Sequence, residues 1–266
     1  MTGEDGWWSV LEMQTVALIA AMHMETRPLL RRVGAHGRER IGRFTCFRFE
    51  LPRSRCVLME TGVGISRATD GARALLEAEK PALVVSFGIA GAPRAGLSIG
   101  DVIVARSVAR LQGGRQGRSR QLGQLTETVR EAVRRAVETM GSRLEHGVVL
   151  TTRGEQALAP GELAAKNPVL DMETAGVAEV CARAGVPLLC LRAISDSVEA
   201  PLPFDLSDYL DDAQQLRIGR LIGAVLRRPG LLPSLLRVGR NARKAADNAA
   251  AAVLAAVNAL KPGSPP

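Results

Sequence analysis

Aromatic residues are scarce in this 266-residue sequence: Phe, Trp and Tyr make up 3% of it, and there is one Tyr. Proteins that bind single-stranded nucleic acid stack bases on aromatic side chains, so this scarcity argues against nucleic acid as a partner despite a formal net charge of +8. Long hydrophobic runs are missing too, since no stretch reaches the roughly 18 apolar residues of a membrane-spanning helix. Residues 1–14 contain acids and no basic segment typical of a secretion signal. We therefore expect a cytoplasmic protein with a flexible leader, residues 1–14.

Metal-ligating residues are few and scattered, with four Cys and three His in the whole sequence. They show no spacing typical of a zinc site, and in a cytoplasmic protein unpaired Cys residues are usually buried thiols. We therefore predict free, buried thiols, no metal site and no cofactor. The cysteines are Cys46, Cys56, Cys181 and Cys190.

The positive charge is concentrated near the C-terminal end of the sequence. Residues 217–261 carry nine bases and one acid, which equals the net charge of the whole chain. Residues 213–260 are predicted to form two basic helices, broken at 229–233 and packed on or beside the main domain, and residues 261–266 a disordered tail. The basicity therefore belongs to this segment, and a solvated basic helix face is one interpretation of it.

Short apolar runs alternate with helical patterns between residues 15 and 212. This alternation predicts one α/β domain over 15–212 with three layers, α/β/α, around a twisted, largely parallel mixed sheet. Strand patterns are found at 15–22, 82–92, 100–108, 146–152 and 187–195, and a hairpin pattern joins 44–51 to 55–62. A Gly turn followed by a helical pattern covers 62–81, and further helical patterns cover 125–140 and 174–184.

Charged side chains follow several of these strands, at the sheet edge where ligands bind in α/β proteins. Glu25 follows the first strand, Glu173 precedes a helix, and Asp196 ends the last strand. Each acid alone is also compatible with a helix N-cap. Arg192 lies inside an apolar strand, and a buried guanidinium needs a carboxylate partner. The sequence therefore predicts an acid close to Arg192.

The turn G-V-G-I-S-R, residues 62–67, is open to two interpretations. A G-x-G turn before a helix can bind a phosphate through its N–H groups, with Gly62, Gly64 and Arg67 as the candidate residues. The third Gly of a dinucleotide-binding fingerprint is absent, because Arg67 stands there. A tight strand-to-helix turn without a ligand is the other interpretation.

Three segments in this order resemble the nucleoside phosphorylase and nucleosidase superfamily, specifically its methylthioadenosine/S-adenosylhomocysteine nucleosidase-like branch. They are VALIAAMHMETRPLL, TGVGISRATDGARALLEAEKPALVVSFGIAGAPRAGLSIGDVIVA and VLDMETAGVAEVCARAGVPLLCLRAISD, and they cover most of residues 15–200. The resemblance implies an enzyme that cleaves the N-glycosidic bond of a purine nucleoside, such as 5′-methylthioadenosine or S-adenosylhomocysteine. It also implies a homodimer or a higher homo-oligomer.

The resemblance gives Asp196 the role of the acid that protonates N7 of the leaving base, oriented by Ser195 and Arg192. The chemistry agrees with this role. A glycosidic bond to a base breaks easily only when the leaving base is protonated, which requires a carboxyl group with a raised pKa beside it.

The other motif residues are implied to bind the sugar and the nucleophile. Glu173 would hold the ribose 2′ and 3′ hydroxyls with Met172 packed beside the sugar, and Glu25 would position the attacking water. A carboxylate near the sugar also stabilises the positive charge that develops there. The remaining substrate-binding residues would be Gly88, Ile89 and Ala90.

Two positions differ from the phosphorylases of the superfamily. Ile89 stands where phosphorylases and many nucleosidases carry a hydroxyl residue, and Ser86 stands where hexameric phosphorylases carry an arginine. A phosphate would lose two partners, although Arg27 and Arg67 could supply charge from elsewhere. Hydrolysis is therefore favoured, with phosphorolysis and inorganic phosphate as co-substrate the alternative. Residues 151–160 show no match to the base-binding loop of the nucleosidases, which leaves base specificity open.

The variant S-F-G-I-A-G-A and residues 225–245 are more similar to the hopanoid-associated phosphorylases of the superfamily. This similarity implies phosphorolytic release of adenine from an adenosylated hopanoid lipid as an alternative reaction. The basic C-terminal helices would then rest on an anionic membrane. A non-catalytic nucleoside-binding or membrane-peripheral protein is the alternative of another class.

Overall fold

The computed structural model describes residues 13–112, 115–153, 165–198 and 232–260. Within these ranges the chain forms five helices and eleven strands. The helices are α1 (His23–Val33), α2 (Ile65–Glu79), α3 (Glu127–Thr139), α4 (Thr174–Ala184) and α5 (Leu232–Ala259). The strands are β1 (Gln14–Ala20), β2 (Gly37–Ile41), β3 (Phe44–Leu51), β4 (Ser54–Glu60), β5 (Leu83–Ala92), β6 (Val102–Gln112), β7 (Arg115–Gln116), β8 (Arg120–Gln121), β9 (Leu144–Thr151), β10 (Pro168–Asp171) and β11 (Leu188–Ser197).

The strands form one mixed sheet in the order β10-β9-β6-β11-β5-β1-β4-β3-β2, and the short strands β7 and β8 pair with β6. Strand β1 runs parallel to β4 and β5, and β11 runs parallel to β5. Strand β6 is antiparallel to β11, and β3 and β4 form the predicted antiparallel hairpin. The predicted α/β class with a mixed central sheet is confirmed.

The sheet closes on itself next to the predicted site. Besides its parallel pairing with β9, β10 makes one antiparallel pair with β5, between Leu170 and Gly91. Strands β5, β11, β6, β9 and β10 therefore form a closed ring. This closure brings the carboxyl end of β10 to the carboxyl ends of β5 and β11, although these strands are far apart in the sequence.

Helices cover both faces of the sheet, which gives the predicted three layers. Helices α1, α3 and α5 pack on one face, and α2 and α4 pack on the other, each with its own buried core. Each helix has an apolar stripe at helical spacing, as in α3, where Val129, Val133 and Val137 are buried.

Helix α5 is an integral part of one layer. Ala245, Ala249 and Val253 are fully buried in the core that it shares with β11, α1 and α3. The described part of the second predicted C-terminal helix is α5, from Leu232 to Ala259. The predicted first helix, most of the leader and the tail at 261–266 lie outside the described residues.

The state of the cysteines and the character of the helices complete the description of the fold. All four cysteines are buried and unpaired, as predicted. Among the helices of the described ranges, none is both long enough and apolar enough to cross a membrane.

Candidate active site

The predicted functional residues converge at the carboxyl ends of β1, β5, β10 and β11. Glu25, Ile89, Glu173 and Arg192 line a single narrow pocket there. Asp196 lies beside Gly91, two residues beyond Ile89 on β5. The remaining lining residues of the pocket are Ile19, Ala20, Ala21, Thr61, Ser86 and Phe87. The closed part of the sheet thus gathers residues that are separated by up to 171 positions.

Glu25 is buried in the first turn of α1, directly after β1. Its carboxylate accepts hydrogen bonds from the backbone N–H groups of Ala21 (3.0 Å), Met22 (2.8 Å) and Ile89 (2.9 Å). Burial raises the pKa of Glu25, and these hydrogen bonds and the charge of Arg192 oppose the rise. Gly88 leaves the space that the carboxylate occupies, because a Cβ atom at this position would collide with it. Glu25 therefore links the ends of β1 and β5.

Glu173 stands at the N-cap position of α4, and its side chain reaches the N-terminus of α2. Oε1 accepts a hydrogen bond from the N–H of Gly64 (2.7 Å), and Oε2 accepts one from the N–H of Met172 (3.2 Å). Burial and the negative charge of Asp171 raise the pKa of Glu173 to about 8, against the opposing hydrogen bond from Gly64. Burial and Asp171 thus favour the protonated form of the Glu173 carboxyl.

The hydrogen bond from Gly64 to Glu173 also occupies part of the predicted phosphate site at the G-x-G turn. The N–H of Gly64 donates to Glu173, and the side chain of Arg67 lies over Gly62, 2.9 Å from the place that a Cβ atom would take. A phosphate at this helix N-terminus would have to displace the carboxyl of Glu173. The turn itself joins β4 to α2, as the alternative interpretation expects.

Asp196 is placed by an irregularity in β11. The pairing with β5 runs regularly to Ile194 and Ala90, skips Ser195, and resumes between Asp196 and Gly91. The hydroxyl of Ser195 donates a hydrogen bond to Asp196 Oδ1 (2.7 Å), as expected for an orienting residue. Burial raises the pKa of Asp196, although the bond from Ser195 opposes this. A carboxyl in such a place holds its proton better than an exposed one and suits a general acid.

Arg192 has the acidic partner that its burial predicts, and this partner is Asp171. Arg192 Nε donates to Asp171 Oδ2 (3.0 Å), and Nη2 donates to Ser86 Oγ (2.9 Å) and Thr174 Oγ1 (2.7 Å). These bonds reach β5, β10 and the start of α4, and none of them joins Arg192 to Asp196. The orienting role of Arg192 stays a prediction. Asp171 was missed by the sequence reasoning, although it follows a buried strand and stands two residues before Glu173.

The other predicted residues have backbone roles at the pocket. Ile89 donates its N–H to Glu25, and the carbonyl of the buried Ala90 accepts a hydrogen bond from Ser195 Oγ (3.3 Å). Met172 is partly buried between Asp171 and Glu173. In the described part of the chain, no group of three or more His, Cys, Asp and Glu side chains is arranged as a metal site.

Carboxyl groups of raised pKa gathered at the strand ends of a mixed α/β sheet are typical of enzyme active sites. Residues 15–227 match the phosphorylase superfamily, so the chain belongs to this superfamily, as its sequence motifs indicated. The expectation of an enzyme from this superfamily is thereby confirmed.

Individual relatives agree with this membership. The 5′-methylthioadenosine/S-adenosylhomocysteine nucleosidase of Actinobacillus succinogenes is 26% identical over 224 residues, which are 78% of this chain and 96% of the relative. The 5′-methylthioadenosine/S-adenosylhomocysteine nucleosidase of Neisseria meningitidis was solved in complex with methylthio-immucillin-A. Its structure superposes on this chain with a TM-score of 0.66 at 21% identity, and the match covers 93% of this chain and 100% of that structure. Futalosine hydrolase of Helicobacter pylori has a TM-score of 0.67 at 18% identity, with 93% and 100% covered. The two solved structures share the fold.

Proposed function

We propose that this protein is a nucleosidase, which uses water to cleave the N-glycosidic bond of a purine nucleoside. The observation that carries the proposal is the placement of Asp196, a carboxyl with a raised pKa at the carboxyl end of β11, close to a pocket that holds two more such carboxyls. A carboxyl group that burial helps to keep its proton is what acid-catalysed departure of a base requires. The nucleosidase names of the curated relatives support the same reaction.

Asp196 donates its proton to N7 of the base as the glycosidic bond breaks, so that the bonding electrons leave with a neutral purine. Burial favours the protonated carboxyl before the reaction, and the hydroxyl of Ser195 stabilises the carboxylate that remains. Water then adds to C1′ of the ribosyl cation. Glu25 positions this water and takes its proton, which balances the reaction.

Glu173 binds the 2′ and 3′ hydroxyls of the ribose, next to Met172. The carboxyl already bridges the N-termini of α2 and α4, so it lies where both helices meet the pocket. As positive charge develops on the sugar, the ionised form of Glu173 stabilises it. The base is proposed to be adenine, and the substrate 5′-methylthioadenosine or S-adenosylhomocysteine, as in the names of the relatives. Residues 154–160 of the expected base-binding region lie outside the described residues.

Phosphorolysis is the alternative, with the adenosylated hopanoid lipid as one substrate. Hydrolysis is favoured by the surroundings of the place that a phosphate would take. Ser86 Oγ is bonded to Arg192, and position 89 offers the apolar side chain of Ile89 in place of a hydroxyl. The phosphate would lack the two partners that it has in the phosphorylases.

Purified protein is therefore expected to release adenine and free sugar from 5′-methylthioadenosine in buffer without phosphate. Adding phosphate should leave the rate unchanged and produce no sugar 1-phosphate. The products can be measured by chromatography, and treatment with a phosphate-consuming system removes traces of the anion as a control. A strict dependence on phosphate would refute hydrolysis and establish phosphorolysis. Binding of the nucleoside without turnover in either buffer would support a non-catalytic protein.

Contact with a membrane surface is a second proposal and rests on the first turns of α5. Leu236 is 59% exposed there, and Arg237, Arg240 and Arg243 are exposed around it without an acid before Asp247. Apolar and basic side chains together bind anionic lipid surfaces. We expect the protein to float with vesicles containing phosphatidylserine, and to lose this when Arg237 and Arg240 are both replaced by Glu. Equal flotation with neutral vesicles would refute this role for the charges.

A homodimer or higher homo-oligomer also remains a proposal, which sedimentation of the purified chain tests.

A further inference from the structure

A buried polar network lies next to Glu173. It joins Asp171 on β10, Thr151 on β9, Ser86 on β5, Arg192 on β11 and Thr174 at the start of α4. The structure buries all five residues. The network therefore crosses four of the five strands that close the ring and ends one residue after Glu173.

Asp171 is the centre of this network. Oδ1 accepts a hydrogen bond from Thr151 Oγ1 (2.6 Å), while Oδ2 accepts bonds from Arg192 Nε (3.0 Å), the N–H of Thr174 (3.0 Å) and the hydroxyl of Thr174. Thr151 Oγ1 in turn accepts a bond from the N–H of Ala175 (3.0 Å). The first two N–H groups of α4 are thus bound by this network, which fixes the helix start that carries Glu173.

The charges around Glu173 come from several elements. Asp171 on β10 and Glu25 on α1 are acids, and Arg192 on β11 is a base that bonds to Asp171. Helix α2 contributes the N–H of Gly64 and, over the same turn, the side chain of Arg67. Arg192 and Asp171 form a buried ion pair, so each offsets part of the other's charge. The effect of Asp171, which raises the pKa of Glu173, exceeds that of Arg192, which lowers it.

We propose that Asp171 is a positioning residue for Glu173: it fixes the first turn of α4 through its bonds to Thr174, and it places a negative charge two residues before the carboxyl of Glu173. The inference deepens the proposed function, on which its catalytic consequence rests. Glu173 has to accept hydrogen bonds from the ribose hydroxyls, and an ionised carboxyl is the better acceptor. Asp171 would then set the pH range in which the nucleoside binds well.

The electrostatic part can be tested without a substrate. The pKa of Glu173 in the folded protein, about 8, lies above its ordinary value of 4.5, so the folded state binds this proton more tightly than the unfolded state. The resulting stabilisation is fully present below the ordinary pKa and is lost as the pH rises through the folded pKa. Glu25 and Asp196 also have raised pKa values, so they too contribute a loss of folding stability as the pH rises. A double-mutant cycle separates the contribution of Glu173 to this loss from the contributions of Glu25 and Asp196.

The experiment is urea unfolding of the full chain from about pH 5 to about pH 9, with wild type, Asp171→Asn, Glu173→Gln and the double variant. We expect Asp171→Asn to reduce the pH-dependent loss of stability when Glu173 is present, and to leave it unchanged in the Glu173→Gln background. An equal effect in both backgrounds, or no effect in either, would overturn the proposal.

Asp101→Asn is the matched control. Asp101 is also a buried aspartate, bonded to the guanidinium of Arg143 (2.6 Å) and to the N–H groups of Ser98 and Arg143. This variant should lower stability at every pH and keep the pH dependence of the wild type. If it changes the pH dependence as Asp171→Asn does, the effect is not specific to Glu173 and the proposal fails.

Asp171→Asn leaves Arg192 unpaired and buried, which by itself can prevent folding. In that case the same cycle is run with Asp171→Asn and Arg192→Met combined, since this pair leaves no unpaired buried charge. Asp171 acts on the pKa of Glu173 more strongly than Arg192 does, so the pH-dependent loss should still shrink. A loss that stays equal to that of the wild type contradicts the proposal.

Enzyme assays provide the second readout. In Asp171→Asn the acid side of the kcat/KM profile should move to lower pH, because Glu173 ionises earlier. An unmoved profile would refute control of substrate binding by Asp171. If the wild type cleaves no nucleoside at all, the proposed function fails, while the unfolding cycle still decides whether Asp171 controls Glu173.

Discussion

Replacing Asp196 with Asn is expected to lower kcat by about 10²–10⁴-fold, the usual contribution of a general acid. The amide has nearly the same shape as the carboxyl and can still accept the hydrogen bond from Ser195, so the pocket keeps its form. It has no proton to give to N7, and the base would have to leave as an anion. Steady-state assays with 5′-methylthioadenosine measure the effect.

The control for this variant is its stability. Burial disfavours the charged form of Asp196, so a neutral amide should leave the free energy of unfolding unchanged or raise it. Wild-type kcat should also decrease as the pH rises through the raised pKa of Asp196, and Asp196→Asn should lack this decrease. A variant that keeps most of the wild-type kcat would show that another group protonates the base.

Replacing Gly91 with Ala is expected to lower kcat by about 10²-fold, because displacing a reacting group by roughly 1 Å can cost this much. A Cβ atom on Gly91 would lie 2.6 Å from Asp196 Oδ2, which is too close for any real contact. The Asp196 side chain has to turn away from its place beside Gly91. The chemistry of the acid stays the same in this variant, so only its position is tested.

Gly37→Ala is the matched control for Gly91→Ala. It also places an alanine in a strand, yet nothing lies within 4 Å of the added Cβ atom. This variant should keep the wild-type kcat, and circular dichroism should show that both variants are folded. If Gly91→Ala is as active as Gly37→Ala, the position of Asp196 beside Gly91 is not the one used in catalysis.

The sequence predicted the local parts of the fold well. The hairpin between β3 and β4 and the helix at 174–184 depend on neighbouring residues and turn signals, and both are present with bounds close to the predicted ones. The motifs also predicted which carboxyl groups approach the pocket. Short-range sequence patterns, together with motif residues that directly follow a strand, are enough to predict these features.

The partner of Arg192 could not be predicted, and the reason lies in β11. In a regular strand, residues four positions apart point to the same side, so Arg192 and Asp196 would project together. The extra residue at Ser195 reverses the side from which Asp196 projects. The pairing of β10 with β5, which supplies Asp171, is a contact between distant parts of the chain and leaves no local signal.

The C-terminal helix shows a similar limit. Its many bases indicate a solvent-exposed face. Its fully buried residues, Ala245, Ala249 and Val253, lie on the side that packs in the core. Small residues at helical spacing let a helix pack closely, but they do not reveal which surface receives it. The sequence therefore predicted a helix here without predicting that it completes the core beside β11.

The position of β11 has a consequence for how the protein is made. It is the last of the described strands in the chain, yet it lies in the middle of the sheet, between β5 and β6. During synthesis, Glu25 and Ile89 leave the ribosome long before Asp196 does. Until β11 inserts, β5 and β6 each expose an apolar edge to which other chains can bind. The core and the candidate site are thus completed by the same late strand, and a chain that still lacks it is the form most exposed to aggregation.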